Sequence, residues 1–312
     1  MPSVVRTPDV PDCPPSDSDR WGAFWRDLDR ALTSQSRGVR RRKYRSLIRK
    51  LERPDGPFLG HLWFRLAVTD LDVGDYDSAE QHLRRSCDED RRHQGAAVAR
   101  QMGAYRLSSL LHDFFPWLAS GRAGRVGKLY AVGSHKKVAL RTIAMAYDRS
   151  ALVPLKTMGL DTSAFVLLLT PSPHLAYAEH SYHWAHSSIS RWHTSQRPYP
   201  AVLEVPLARA VCSTLGAGME AVLLGRVRSN SGTGFSKLLV LGHERRVWRG
   251  RSPAEAAMLL LYYFRNHIHP SVAFRRPDFP ADMNTAYVML ICFEFALKGV
   301  RPLRRLEAVT HP

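Results

Sequence analysis

The sequence predicts an α+β fold, with a helical N-terminal region, a mixed and mainly antiparallel sheet with flanking helices, and a C-terminal helical pair. Before about residue 120, apolar residues recur at intervals of three and four, as on one face of a helix. From about Lys128 they form short runs between turn residues, which is typical of strands, and after Ser252 the helical period returns. We therefore expect a disordered tail at 1–15, a helical domain at 16–121 and an α+β domain at 122–312, with the sheet at about 128–245 and helices at about 252–299.

The first two predicted helices each have one apolar face. A cap is available at residues 16–18, and a second helix begins near Arg40 and ends before Pro54. The apolar face of the first comprises Trp21, Phe24, Trp25, Leu28 and Leu32, and that of the second Tyr44, Leu47, Ile48 and Leu51. Arginines cover the rest of the second helix, so we expect one side to pack and the other to meet a partner.

Residues 58–90 have the spacing of a two-helix repeat. The matching positions are Trp63, Leu66, Ala67, Gly74, Asp75, Tyr76, Ala79, Leu83 and Ser86. This segment resembles a tetratricopeptide repeat, and it departs from that pattern at Asp70 and Arg91. Stacked arrays need about three copies, and no second copy follows at the expected offset of about 34 residues. The resemblance implies a single helical hairpin inside a helical domain.

Short apolar runs between turn segments predict the sheet. Two runs flank the turn at 133–136 as a hairpin would, and two others flank a Gly- and Ser-rich tip at 228–234. The predicted strands are 129–132, 138–147, 164–170, 202–205, 219–227 and 238–241. We expect two helices to interrupt this sheet, one after Pro173 and one that ends near Gly216.

Start and stop signals mark the two C-terminal helices. Ser252 can cap the first of them, with Pro253 in the first turn and Glu255 reaching back to the cap. The second begins near Asp282 and stops at Gly299.

Arginine dominates the charge of the chain. Of 45 basic residues, 37 are arginines and 8 are lysines, against 28 acids, for a net charge of +17. Residues 31–53 hold nine bases and one acid, and residues 97–145 hold eight bases and one acid, whereas the stretch between them is acidic. A guanidinium pairs bidentately with phosphate and stacks on bases. A GC-rich genome would also explain arginine over lysine, but not the excess over acids.

This distribution favours a non-enzymatic protein that uses arginine-rich faces to bind phosphates of RNA or DNA, within a ribonucleoprotein or a viral assembly. The expected contacts are Arg37, Arg40, Arg41, Arg42, Lys43, Arg45, Arg49, Arg122, Arg125, Lys128, Tyr130, Lys136, Lys137, Arg141, Arg226, Arg228 and Lys237. The cluster at 40–43 could also serve a nuclear import receptor, and a solvated helix face is the simpler interpretation.

Two other classes of function stay open. The hairpin and the acidic stretch could form an interaction scaffold whose basic face meets an acidic protein or an anionic membrane. A nucleic-acid or nucleotide-processing enzyme could use the histidines between His174 and His193, among them His180, His183 and His186, with Glu179 nearby.

Several site classes lack their signatures. The cysteines are scattered and the histidines lack zinc-ligand spacing, so we expect no metal and no cofactor. No nucleotide-binding glycine fingerprint or nucleophile elbow is present. We found no apolar run of about 18 residues and no apolar signal segment near the start, and therefore expect no transmembrane segment and an intracellular location, cytoplasmic or nuclear.

Overall fold

The described part of the chain is helical throughout. A computed structural model describes residues 8–12, 18–33, 35–99, 103–120, 124–130, 133–152, 173–195, 201–227, 233–268 and 282–301. Within these ranges it contains twelve α-helices and no strand. The predicted α+β class is therefore wrong. Some predicted features lie outside the described residues. They are most of the expected tail, the expected strand at 164–170, Arg122 and Arg228.

The chain forms two compact units. The first comprises residues 1–113 with 143–153, and the second comprises residues 114–142 with 154–312. The helices Gly103–Ala119 and Gly133–Leu152 contribute residues to both units.

Five helices form most of the N-terminal part, and the second begins at Arg37, three residues before its expected start. They are α1 (Ser18–Thr33), α2 (Arg37–Leu51), α3 (Gly60–Val73), α4 (Tyr76–Ala99, kinked at Gly95) and α5 (Gly103–Ala119). One apolar cluster joins α1, α2 and α3, and it contains Trp21, Phe24, Leu28 and Leu32, then Tyr44, Ile48 and Leu51, then Leu62, Trp63 and Leu66.

A tight connection between α3 and α4 makes the expected hairpin. Gly74 adopts φ 86°, a left-handed conformation that suits glycine, and its N–H donates to the last carbonyls of α3. The Ser86 hydroxyl donates to the Gly60 carbonyl at 2.7 Å, which joins the first residue of α3 to the middle of α4.

Seven further helices follow. Residues 143–152, in the second of them, belong to the first unit. The seven helices are α6 (Gly124–Tyr130), α7 (Gly133–Leu152), α8 (Pro173–Thr194), α9 (Ala201–Val227), α10 (Phe235–Glu244), α11 (Pro253–Ile268) and α12 (Met283–Gly299). In the second unit α9 packs against α8, α10, α11 and α12, while α6 packs against α10.

The capping signals of the last two helices are present. The Glu255 N–H donates to Ser252 Oγ at 3.3 Å, and the Thr285 N–H donates to Asp282 Oδ1 at 2.9 Å. Between α8 and α12, the Tyr182 hydroxyl donates to Glu294 Oε1 at 2.7 Å, which satisfies a buried carboxylate.

The predicted strands lie in helices instead. Residues 129–130 end α6, residues 138–147 are inside α7, residues 202–205 and 219–227 belong to α9, and residues 238–241 belong to α10. The expected helix end near Gly216 is the middle of α9. Most of these segments are apolar because they are buried against neighbouring helices, although Leu203 and Val205 are exposed. Periodicity cannot distinguish a buried helix from a buried strand.

The expectation of no transmembrane segment is also wrong, because one described helix is long and apolar enough to span a membrane. Among the described helices, one segment of α9, Leu203–Val227, has 25 residues and a mean hydropathy of 1.4, and 56% of its most apolar window is buried inside the protein. Its four charged residues are Glu204 and Arg226 near its ends and Arg209 and Glu220 in its interior, which is too few to exclude a span. The core helix of a soluble protein meets the same criteria, so this finding is weak evidence for a membrane.

Candidate nucleic-acid interface

Helix α2 has an inner face, which we define as the side whose arginines form ion pairs with acids of the hairpin α3–α4. Arg41 donates from Nε to Asp70 and from a terminal nitrogen to Asp75, and Arg37 pairs with Asp72. Arg45 lies 3.7 Å from Asp70. Three of the expected nucleic-acid contacts are therefore engaged in ion pairs, and a fourth, Arg40, is buried.

Asp70 is the centre of this network. Its side chain has no exposed surface, and His82 Nδ1 lies 2.7 Å from Oδ2. The His82 ring also stacks on Trp63 at 5.3 Å, so the polar network continues into the aromatic core of the hairpin. A carboxylate buried in this way needs several donors, because an unpaired buried charge is strongly unfavourable.

Asp75 lies at the edge of the same network. Burial raises its pKa, but hydrogen bonds from Ser78 and Arg41 outweigh burial, so its pKa lies below the usual value. This carboxylate is therefore ionised at neutral pH and can hold Arg41.

The opposite face of α2 carries a second set of cations, which we call the outer basic strip. It comprises Arg42, Lys43, Arg49, Lys50 and, just beyond the helix, Arg53, and all five are exposed. From Arg42 to Lys50 the helical rise gives a length of about 12 Å. None of the five forms an ion pair with any described residue. The strip is thus a linear array of uncompensated positive charge on a rigid helix.

The second basic segment forms helices, not the expected hairpin. On α6, Arg125 and Lys128 are exposed, whereas Tyr130 is buried, where burial and the nearby Glu255 raise its pKa. In this position the Tyr130 ring does not present a surface on which a base could stack. On α7, Lys136, Lys137 and Arg141 are exposed, and Lys136 Nζ lies 5.3 Å from the Phe115 ring centroid. All of these cations belong to the second unit, whereas the outer basic strip belongs to the first.

Two of the cations expected near the tip at 228–234, Arg226 and Lys237, lie in helices. Lys237 is exposed in the first turn of α10. Arg226, near the end of α9, donates to the Arg301 carbonyl at 2.5 Å, and burial lowers its pKa. Arg226 therefore has a structural contact.

The histidine cluster of α8 forms no ligand set. His180 and His183 are exposed, and His183 lies 3.9 Å from Glu179 one turn away. His186 packs beside Tyr182, and burial lowers the pKa of His193, whose ring lies against Trp192. The described part of the chain contains no group of three or more His, Cys, Asp or Glu placed to hold a metal ion.

A basic loop between α10 and α11 was not predicted from the sequence. We call residues 245–251, which include Arg245, Arg246, Arg249 and Arg251, the arginine loop. A count of arginines over seven residues would have found this loop. Which of its residues are exposed and which are buried depends on the fold.

Comparison with protein-family models, with curated proteins and with solved structures finds no match to this chain. The case for function therefore depends on the geometry of its own residues.

Proposed function

We propose that this chain is a non-enzymatic protein that binds nucleic acid through its phosphates, with the outer basic strip of α2 as the principal contact. The division of α2 into two faces carries the proposal. Acids of the hairpin neutralise the inner arginines, while the outer cations are exposed and uncompensated.

The composition of the strip supports contact with phosphates instead of bases. Among the residues of α2, the one aromatic side chain, Tyr44, is buried in the core. Without an exposed aromatic ring the helix offers no aromatic stacking platform, and we expect its cations to contact mainly the phosphate backbone, which carries no sequence information. We therefore expect binding that depends weakly on sequence and strongly on salt.

Fluorescence anisotropy with a labelled 20-nucleotide probe, as single strand and as duplex, tests this proposal. A triple variant, Arg42→Gln, Arg49→Gln and Lys50→Gln, removes three cations of the strip. Each lost phosphate contact reduces the slope of log K against log salt by about 0.7 to 0.9, so we expect a slope less steep by about 2 to 3. At about 50 mM salt the affinity should fall at least tenfold.

A matched control removes three exposed arginines from α4, through Arg84→Gln, Arg91→Gln and Arg92→Gln. These side chains pair with acids on their own helix. Equal loss of affinity in both triple variants would show that only net charge matters and would contradict a site on α2. Absence of binding by the wild-type chain at low salt would reject the function itself.

A further inference from the structure

The arginine loop presents three exposed cations from a short backbone segment. Arg246, Arg249 and Arg251 are exposed. The fourth arginine, Arg245, is exposed as a residue, but its guanidinium group donates to the Val227 carbonyl at the end of α9 in a partly buried hydrogen bond. None of the three exposed side chains forms an ion pair within the described ranges. Three guanidinium groups in six residues can surround one or two phosphate groups, because each presents a planar pair of donors.

The backbone between these arginines is anchored in the second unit. Val247 and Trp248 are buried, the Arg301 N–H donates to the Val247 carbonyl at 2.8 Å, and Trp248 pairs with Val300 in an antiparallel bridge. Gly242 makes room for the Trp248 ring, since a Cβ there would lie 2.4 Å from Cη2. Two buried residues, Val247 and Trp248, therefore separate Arg246 from Arg249 and fix the backbone from which these arginines project.

The C-terminal end of the loop is fixed by Glu255. This buried carboxylate accepts the backbone N–H of Arg251, and His243 Nδ1 lies 2.8 Å from its other oxygen. Because these groups and Tyr130 occupy Glu255, it is not available to neutralise the exposed guanidinium groups. A preorganised loop loses less conformational entropy when it binds a ligand.

Two of the three exposed arginines occupy left-handed backbone. Arg246 has φ 54° and Arg251 has φ 56°, where residues with a Cβ are strained and glycine is favoured. Such strain is found preferentially where a side chain has a function. Two cations at positions that suit glycine indicate that the guanidinium group is useful there.

We propose that the arginine loop is a second phosphate-binding site, in the second unit, which contacts the phosphate backbone of nucleic acid. The identity of the ligand rests on the function proposed above. The loop itself is distinct from α2 and can be tested separately.

The decisive variant is the double substitution Arg246→Gly and Arg251→Gly, which relieves the backbone strain and removes two cations. We expect Tm to rise by about 2 °C, because two left-handed positions lose their steric penalty. We expect the affinity for the 20-nucleotide probe at about 50 mM salt to fall at least fivefold. A structural role alone would not combine higher stability with weaker binding.

Arg249→Gln tests the charge without a change at a strained position, and Arg191→Gln on α8 is its matched control. We expect about a threefold loss of affinity for Arg249→Gln and none for Arg191→Gln. Unchanged affinity in both loop variants, with loss in the α2 variant, would overturn the second site and leave the proposed function standing. Loss in the loop variants but not in the α2 variant would support the loop and reject the site on α2. No binding by the wild-type chain would reject both.

Discussion

Arg41 donates from Nε to Oδ1 of Asp70, a carboxylate with no exposed surface, across 29 positions of sequence. This pair fixes the orientation of α2 on the hairpin, and the orientation decides which arginines remain exposed. The same residue type therefore has two roles on one helix. Inner arginines stabilise the fold, and outer ones are available to a partner.

Substitution of Asp70 should destabilise the first unit. Asp70→Asn leaves Arg41 and Arg45 without their shared carboxylate and removes the partner of His82. Loss of one member of a buried ion pair typically lowers the free energy of unfolding by about 3 to 5 kcal/mol. Because Arg41 is partly exposed, we expect about 3 kcal/mol, measured by urea denaturation followed by circular dichroism. Arg42→Gln, on the outer face, should change this free energy by less than about 0.5 kcal/mol. A destabilisation by Arg42→Gln as large as that by Asp70→Asn would contradict the two-face assignment.

His61 should make the first unit less stable in acid. Its ring lies 4.1 Å from the Trp25 ring, and burial, together with the charge of Arg65, lowers its pKa to about 3. Below about pH 6.5 the unfolded chain binds a proton that the folded chain does not accept until about pH 3. The free energy of unfolding therefore falls as the pH decreases through this window.

His61→Leu tests this prediction, since leucine has a similar volume and does not titrate. We expect the variant to gain stability relative to the wild type as the pH falls from 7 to 4.5, measured by urea denaturation at several pH values. Parallel pH profiles for the two proteins would show that His61 is protonated in the folded state.

Asp90 has the opposite dependence on pH. Burial, followed by the neighbouring charge of Glu89, raises its pKa to about 6. Between about pH 3.9 and 6 the folded chain keeps a proton that the unfolded chain has lost, so the free energy of unfolding decreases as the pH rises through this range. Above about pH 6 the Asp90 carboxylate is charged in the folded state, although burial disfavours the charged form.

Asp90→Asn should therefore stabilise the chain at pH 7.5, by at least about 1 kcal/mol, and should have little effect near pH 3.5. The control is Asp88→Asn, two residues earlier, where an exposed carboxylate lies 3.4 Å from Arg91. We expect a change of less than about 0.5 kcal/mol there. Thermal denaturation of both variants at the two pH values provides the comparison, and a loss of stability in Asp90→Asn at pH 7.5 would contradict the assigned pKa.

The helices at both ends of the chain were predictable because each has a local signal. In α1 one aromatic face recurs at helical spacing, and Ser252 and Asp282 are capping residues that act within three positions. The middle of the chain lacks such local signals, because its apolar residues do not lie on one face. Met219 and Val222 are buried on the central helix α9, and the same apolar run would suit a buried strand. Length could have decided the matter, since α9 has 27 residues and strands are much shorter.

The position of the candidate site could be predicted from the sequence, but the set of exposed cations in it could not. Charge counting located α2, but the partners of Arg41 lie about 30 residues away, and no local pattern shows which arginines they neutralise. In the arginine loop, exposure depends on whether Trp248 is buried, which is a property of the packed unit. Composition therefore locates basic segments, whereas long-range pairing decides which of their cations are available.

Gly242 should be required for the position of the arginine loop. A Cβ at this position would lie 2.4 Å from Trp248 Cη2 and 2.6 Å from Cζ3, and the buried indole has little room to move. Gly242→Ala should therefore displace Trp248 and lower the free energy of unfolding by about 1 to 3 kcal/mol, as other overpacked cores do. Gly38→Ala is the control, because the nearest atom to its Cβ would be the flexible Arg42 terminus at 3.8 Å, and alanine is the better helix former. Tryptophan fluorescence during urea denaturation measures both changes. Equal stability of Gly242→Ala and the wild type would show that Trp248 can move, and the loop would then lack the rigid anchor on which its phosphate site depends.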